Sequence, residues 1–147
     1  MIIDSPVVEV RISPAERFTA NGALRERIER CVQRLVKNWQ LPSLPACSIE
    51  ALAPPQHVGL GVGTQLSLAV AAGLRRFQQL PEMSTDELAR STGRGARSAV
   101  GTLGFERGGL IVDRGKRPGE LLGALEQRAG VPPDWRAVLV NAGGAVG

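Results

Sequence analysis

From Pro6 to Ile12 apolar and polar residues alternate, with Val8, Val10 and Ile12 on one side; this period of two predicts a strand that Ser13-Pro14 ends. From Asn21 the period changes. Leu24, Ile28, Cys31, Val32, Leu35, Val36 and Trp39 recur three and four apart, predicting a long helix with one buried face and its Arg, Glu and Lys side chains in water. Pro42 and Pro45 make Leu41 to Ala46 a connector, and Cys47 to Leu52 reads as a second strand.

A glycine-rich loop, Gln56 to Thr64, then runs straight into an Ala- and Leu-rich segment, Gln65 to Phe77, where Leu66, Val70, Leu74 and Phe77 share a face. The loop therefore opens a helix. Ser84 to Arg90 starts like a further helix, with Thr85 as the cap and Asp86 and Glu87 in the first turn. A second glycine cluster follows: Gly93, Gly95, Gly101, Gly104 and Gly108-Gly109. Beyond it, Leu110 to Val112 is a short strand, Pro118 to Ala129 a helix, and Arg136 to Val140 a last strand, with Trp39 and Trp135 at core-like or strand-edge positions. Imperfect alternation of strands and helices favours a layered α/β or α+β domain with helices packed on a sheet.

The chain has 147 residues, 43% hydrophobic and 22% charged, the balance of one compact domain spanning 1–147. Glycine is the outlier, with 18 residues, 11 of them between Gly59 and Gly115. No apolar run is long enough to cross a bilayer and no leader pattern opens the chain, so a cytoplasmic protein without membrane contact is expected. Cys31 and Cys47 are isolated and read as reduced thiols; one histidine rules out a multi-histidine metal site. The net charge of +4 resides in residues 75–117, which carry 9 basic and 5 acidic side chains. Aromatics make up only 3% and there is no tyrosine, so nucleic acid is not the expected partner. A phosphorylated small molecule, which needs only a few positive charges and backbone donors, fits better.

The first glycine cluster lies where unpaired N–H groups and a helix dipole favour an anion. A Walker loop would end in Gly-Lys-Ser or Gly-Lys-Thr, whereas this one ends Gly63-Thr64-Gln65. A dinucleotide fingerprint would place its third glycine two residues further on. A tight turn without ligand is the plain alternative. The stretch from Pro54 to Leu66 (PPQHVGLGVGTQL) resembles the phosphate loop of the GHMP small-molecule kinases, Pro-x-x-x-Gly-Leu-Gly-Ser-Ser before an Ala-rich helix, with Val62 and Gly63 in place of the serines. Together with Gly93-Arg94-Gly95 and Ser98 to Asp113, it is more similar to one branch, the beta-ribofuranosylaminobenzene 5′-phosphate synthases.

That resemblance implies an α+β domain of the GHMP N-terminal type, a mixed sheet with helices on one face. It implies the joining of phosphoribosyl pyrophosphate to a hydroxy- or aminobenzoate with loss of carbon dioxide and pyrophosphate, on the way to tetrahydromethanopterin-type cofactors. Phosphate contacts are expected from Gly59, Leu60, Gly61, Val62, Gly63, Thr64 and Gln65, and from Gly93, Gly95 and Ser98 of the second cluster. Arg94 and Arg97 are either a phosphate or carboxylate clamp or part of a solvated basic face. His57 is catalytic or structural, and Asp113 holds magnesium or ends a strand. Mevalonate-type kinases carry an Asp six residues or so before a Gly-Gly pair; the matching position here is Gly101, which cannot take a proton. An ATP-dependent kinase is therefore the second expectation and a non-catalytic phosphate-binding domain the third. Family members begin with a further strand and turn and continue into a second domain, so the chain reads as truncated at both ends, and a homodimer would cover an exposed sheet edge.

Overall fold

A computed structural model describes residues 7–54, 61–95 and 99–138. Three strands, β1 (Glu9–Pro14), β2 (Thr19–Asn21) and β3 (Cys47–Leu52), form a sheet in the order β1-β3-β2. β3 runs antiparallel to β1, with Ile12 opposite Ile49, and parallel to β2, so the sheet is mixed. β1 lies two residues beyond the expected strand because Ser13 and Pro14 still pair with Ser48 and Cys47; an edge strand tolerates the missing proline N–H. β2, three residues long, carries no periodicity and was not foreseen.

Alternation along the strands sends Ala20, Cys47 and Ile49 inward with the half-buried Val10 and Ile12, while Glu9, Arg11, Ser13 and Glu50 face solvent. Helices cover the inner face. α1 (Arg25–Asn38) buries Ile28, Cys31, Val32 and Leu35. α2 (Val62–Phe77) lies centrally, against β1, α1, α3 (Thr85–Thr92) and α4 (Val100–Leu103). It is apolar nearly all round, as a helix covered on most sides must be: Leu66, Leu68, Val70, Ala71 and Leu74 are at most 1% exposed. Each large side chain so removed from water contributes about 1.5–3 kcal/mol. Gly73 lets α2 settle on β1, since a methyl group there would lie 2.9 Å from Ile12 Cδ1.

α3 opens on a capping box. The Ser84 hydroxyl accepts from the Glu87 N–H, and the Glu87 carboxylate accepts from the Ser84 N–H at 2.8 Å, so Ser84 rather than Thr85 is the cap. Trp39, half-buried, donates its ring N–H to Ser91 Oγ at 3.0 Å and lies 5.1 Å from the Arg75 guanidinium.

The final third departs from expectation. β4 (Leu110–Asp113) pairs antiparallel with β5 (Leu125–Ala129), so residues 118–129 are a turn, an irregular stretch and a strand, not a helix. Gly115 and Gly119 adopt positive φ and break helical continuity. Arg128 then fixes β5 by donating to the carbonyls of Gly108 and Leu103. Residues 136–138 form no strand, 139–140 lie outside the described residues, and Trp135 is 67% exposed rather than core-like. The fold is α+β, and both cysteines are buried free thiols. Among the described residues no helix is long and apolar enough to cross a membrane.

Candidate functional site

α2 starts at Gly61, whose φ of 67° and ψ of 13° place it in the left-handed region. No side chain caps this end and its first turn holds no acidic residue. The N–H groups of Thr64 and Gln65 are taken up by the Gly61 carbonyl, at 2.9 and 3.2 Å. Val62 sends its side chain into the core, 4% exposed, and offers a ligand only backbone. The dipole at this end is thus uncompensated by a cap or by an acidic residue of the first turn. His57, Gly59 and Leu60, which precede it, lie outside the described residues, as do Arg97 and Ser98.

Two structural features hold this helix start in place. On one side lies α4: the Gln65 side-chain amide donates to the Gly101 carbonyl at 2.8 Å, and a methyl group at Gly101 would lie 3.2 Å from Thr64 Cγ2. Gly101 is therefore where α4 closes on α2 in a tight contact. On the other side the Ser67 hydroxyl donates to the Gly63 carbonyl at 2.8 Å and accepts from Arg94 Nε at 3.0 Å.

Arg94 is half-buried and does not stand alone. Arg27, Arg30 and Arg34 of α1 line with it a cleft of about 160 Å³ that Ser67 floors. Arg27 passes over the start of α2, its Nη1 3.1 Å from where a methyl group on Gly63 would be. Arg34 Nη1 donates to the Thr92 carbonyl at 2.8 Å, at the end of α3. Burial holds the Arg94 guanidinium below its ordinary pKa, and neighbouring Arg27 and Arg34 push the same way. The arginines of α1 do not all face water as its polar stripe suggests. Arg27 and Arg34, seven apart and so on nearly one face, flank the buried stripe and turn toward α2 and α3; that spacing is the sequence signal that could have found them.

The second glycine cluster has roles in the fold. Gly93, at φ 69°, closes α3, with the Arg94 N–H reaching back to the Ala89 carbonyl at 2.8 Å. Gly95 is buried at φ 86°, and a methyl group there would lie 1.7 Å from Leu122 Cδ2. Asp113 ends β4 as read, but its oxygens accept from the N–H groups of Ala99 at 3.2 Å and Gly115 at 2.9 Å, so it ties the start of α4 to the β4–β5 connection. Among the described residues no group of three or more His, Cys, Asp or Glu could hold a metal ion.

No protein-family model matches the chain. Curated relatives do. It is 31% identical over 153 residues to the beta-ribofuranosylphenol 5′-phosphate synthase of Archaeoglobus fulgidus, an alignment covering 95% of this chain and 47% of that protein. To the enzyme of the same name from Methanothermobacter thermautotrophicus it is 40% identical over 121 residues, covering 78% and 36%. The one from Methanocaldococcus jannaschii is 46% identical over 61 residues, covering 42% and 18%. The resemblance to the synthase branch thus extends over nearly the whole chain, which spans less than half the length of the curated relatives it matches.

Proposed function

We propose that this relative of the beta-ribofuranosylphenol 5′-phosphate synthases provides the pyrophosphate-binding part of an enzyme joining phosphoribosyl pyrophosphate to a hydroxy- or aminobenzoate. The relatives are named for a phenol product, which favours the hydroxybenzoate. In the proposed reaction the bond from ribose carbon 1 to the pyrophosphate oxygen breaks and its electron pair leaves with pyrophosphate. The ring carbon bearing the carboxylate forms the new bond to carbon 1. The carboxylate then departs as carbon dioxide, and the electrons of its bond restore the aromatic ring.

This chemistry asks little proton transfer of the protein. It asks that the reactants be held together and that charge on the departing pyrophosphate be stabilised. The observation that carries the reading is the uncapped start of α2, free of acidic residues and bordered by the Arg27 and Arg94 guanidinium groups. Gly61 to Gly63 offer backbone N–H groups, and Arg94 offers charge. Gly101 supports the synthase over a kinase, because no side-chain base stands there. A magnesium ion of the proposed reaction would be held by the pyrophosphate with at most one or two carboxylates, since no group of three or more His, Cys, Asp or Glu is gathered among the described residues; Asp113, which accepts from two backbone N–H groups, is the candidate ligand, and no step is assigned to the ion.

The test is incubation of the chain with phosphoribosyl pyrophosphate, magnesium and 4-hydroxybenzoate, with release of carbon dioxide and pyrophosphate in equal amounts as the expected result. Thermal stabilisation by phosphoribosyl pyrophosphate without turnover supports the second reading, a phosphate-binding domain. Stabilisation by ATP and not by phosphoribosyl pyrophosphate overturns both.

A further inference from the structure

The cleft between α1, α2 and the end of α3 gathers four guanidinium groups, yet none of Arg27, Arg30, Arg34 and Arg94 has a carboxylate within ion-pair distance among the described residues. Three arginines outside the cleft do form ion pairs, Arg25 with Glu29, Arg114 with Glu120 and Arg11 with Glu9. Like charges brought together repel, the more so where Arg94 is half withdrawn from water, and an anion in the cleft relieves that. We propose that this cleft is a phosphoryl-binding site in its own right, with Arg27 and Arg94 as principal ligands and Arg34 closing one side.

Three observations select the ligand chemistry. At about 160 Å³ the space is below the 300–1,000 Å³ of pockets that enclose whole drug-sized ligands, and suits a phosphoryl group rather than a nucleotide. Donors remain available: Arg94 commits Nε to Ser67, Arg34 commits one N–H to Thr92, and the Arg27 side chain has no hydrogen bond among the described residues. The guanidinium groups also come from two segments, α1 and Arg94 two residues past α3, so they line the cleft from more than one side. A tetrahedral dianion with three terminal oxygens can engage all of them, whereas a planar carboxylate satisfies one fork. The site adjoins the start of α2 and shares Arg27 and Arg94 with the pyrophosphate site proposed above, but it is built of side chains, and phosphoryl binding in it stands whether or not phosphoribosyl transfer occurs. The phosphoryl group is either the end of a sugar phosphate or free phosphate.

Calorimetric titration of the full chain with inorganic phosphate, ribose 5-phosphate and benzoate at one ionic strength tests this, with Arg27→Gln, Arg94→Gln and, as a control in the β4–β5 connection, Gly119→Ala alongside. The expected result is phosphate affinity reduced about tenfold or more in both arginine variants and unchanged in Gly119→Ala. Tighter binding of ribose 5-phosphate than of phosphate identifies a sugar phosphate as the ligand; equal binding identifies free phosphate. The proposal is overturned if both arginine variants bind phosphate like the parent, if benzoate binds as well as phosphate, or if Gly119→Ala weakens the binding as much as they do. Arg27→Gln breaks no described hydrogen bond, so it decides the matter should Arg94→Gln fail to fold. Failure of turnover with intact phosphate binding refutes the synthase reading alone.

Discussion

Replacing Gly61 by alanine separates what the start of α2 does for the fold from what it does for a ligand. The backbone there sits at φ 67°, where a Cβ costs about 1 kcal/mol, but no atom lies within 4 Å of the place the methyl group would take. Strain without collision should lower stability by about 1 kcal/mol and the melting temperature by about 4 °C. The methyl group projects beside the first-turn N–H groups and should hold phosphate oxygens off them. A ligand at a hundred times its Kd stabilises the parent by about 2.7 kcal/mol, and a tenfold weaker complex loses about half of that. Gly119→Ala is the matched control: its φ is 85°, it too has nothing within 4 Å, and it lies in the β4–β5 connection. Thermal shift with and without phosphoribosyl pyrophosphate should show both variants equally destabilised and only Gly61→Ala short of its ligand shift. A full shift in Gly61→Ala, or an equal loss in Gly119→Ala, refutes pyrophosphate binding at this helix start.

Gly95→Ala should cost about 3 kcal/mol, because strain at φ 86° adds to a collision with Leu122, and urea unfolding will show it as a lowered midpoint at unchanged slope. Ser84→Ala removes the α3 cap and should cost about 1 kcal/mol at neutral pH. The same hydroxyl, then the Ser84 backbone N–H, holds the Glu87 carboxyl below its usual value. That contribution is present above the unfolded carboxylate pKa and is lost as pH falls through the folded one, so the parent should lose more stability on acidification than Ser84→Ala does. Burial raises the thiols of Cys31 and Cys47, so at pH 8 a disulfide reagent should titrate neither in the native protein and both in urea; fast native reaction of Cys31 would contradict its place between α1 and α2.

The elements legible in the sequence are those whose burial is one-sided and long enough to repeat. α1 shows its stripe over four turns, and β3 its alternation of Cys47 and Ile49 with Ser48 and Glu50. β5 was illegible for the opposite reason. Leu121, Leu122 and Leu125 mimic helical spacing, while what makes 125–129 a strand is non-local: the ladder to β4 and the hold of Arg128 on two carbonyls preceding β4. The start of α2 was visible because glycine followed by a helical run marks a backbone feature. Gly95 and Gly101 were visible as glycines, but the demands on them, set by Leu122 and by Thr64, come from partners distant in the chain.

Charge follows the same logic. Counted along the chain, residues 1–74 hold 7 basic and 6 acidic side chains and look nearly neutral, which assigns the positive character to 75–117. The fold does not respect that division. α1 interleaves Glu26 and Glu29 with its arginines, yet Glu29 pairs with Arg25 on the solvent side while Arg27 and Arg34 flank the stripe packed on α2 and α3. The helix thus separates its own charges across its circumference, and Arg94 joins the positive side from 60 residues further on. A few arginines in a cleft about 160 Å³ in size set a stronger local field than the net +4 of the whole chain, because their donors converge and part of the surrounding water is excluded. A chain with an ordinary segmental balance can for this reason hold a strongly anion-attracting point, and its ligand preference follows from which helix faces meet.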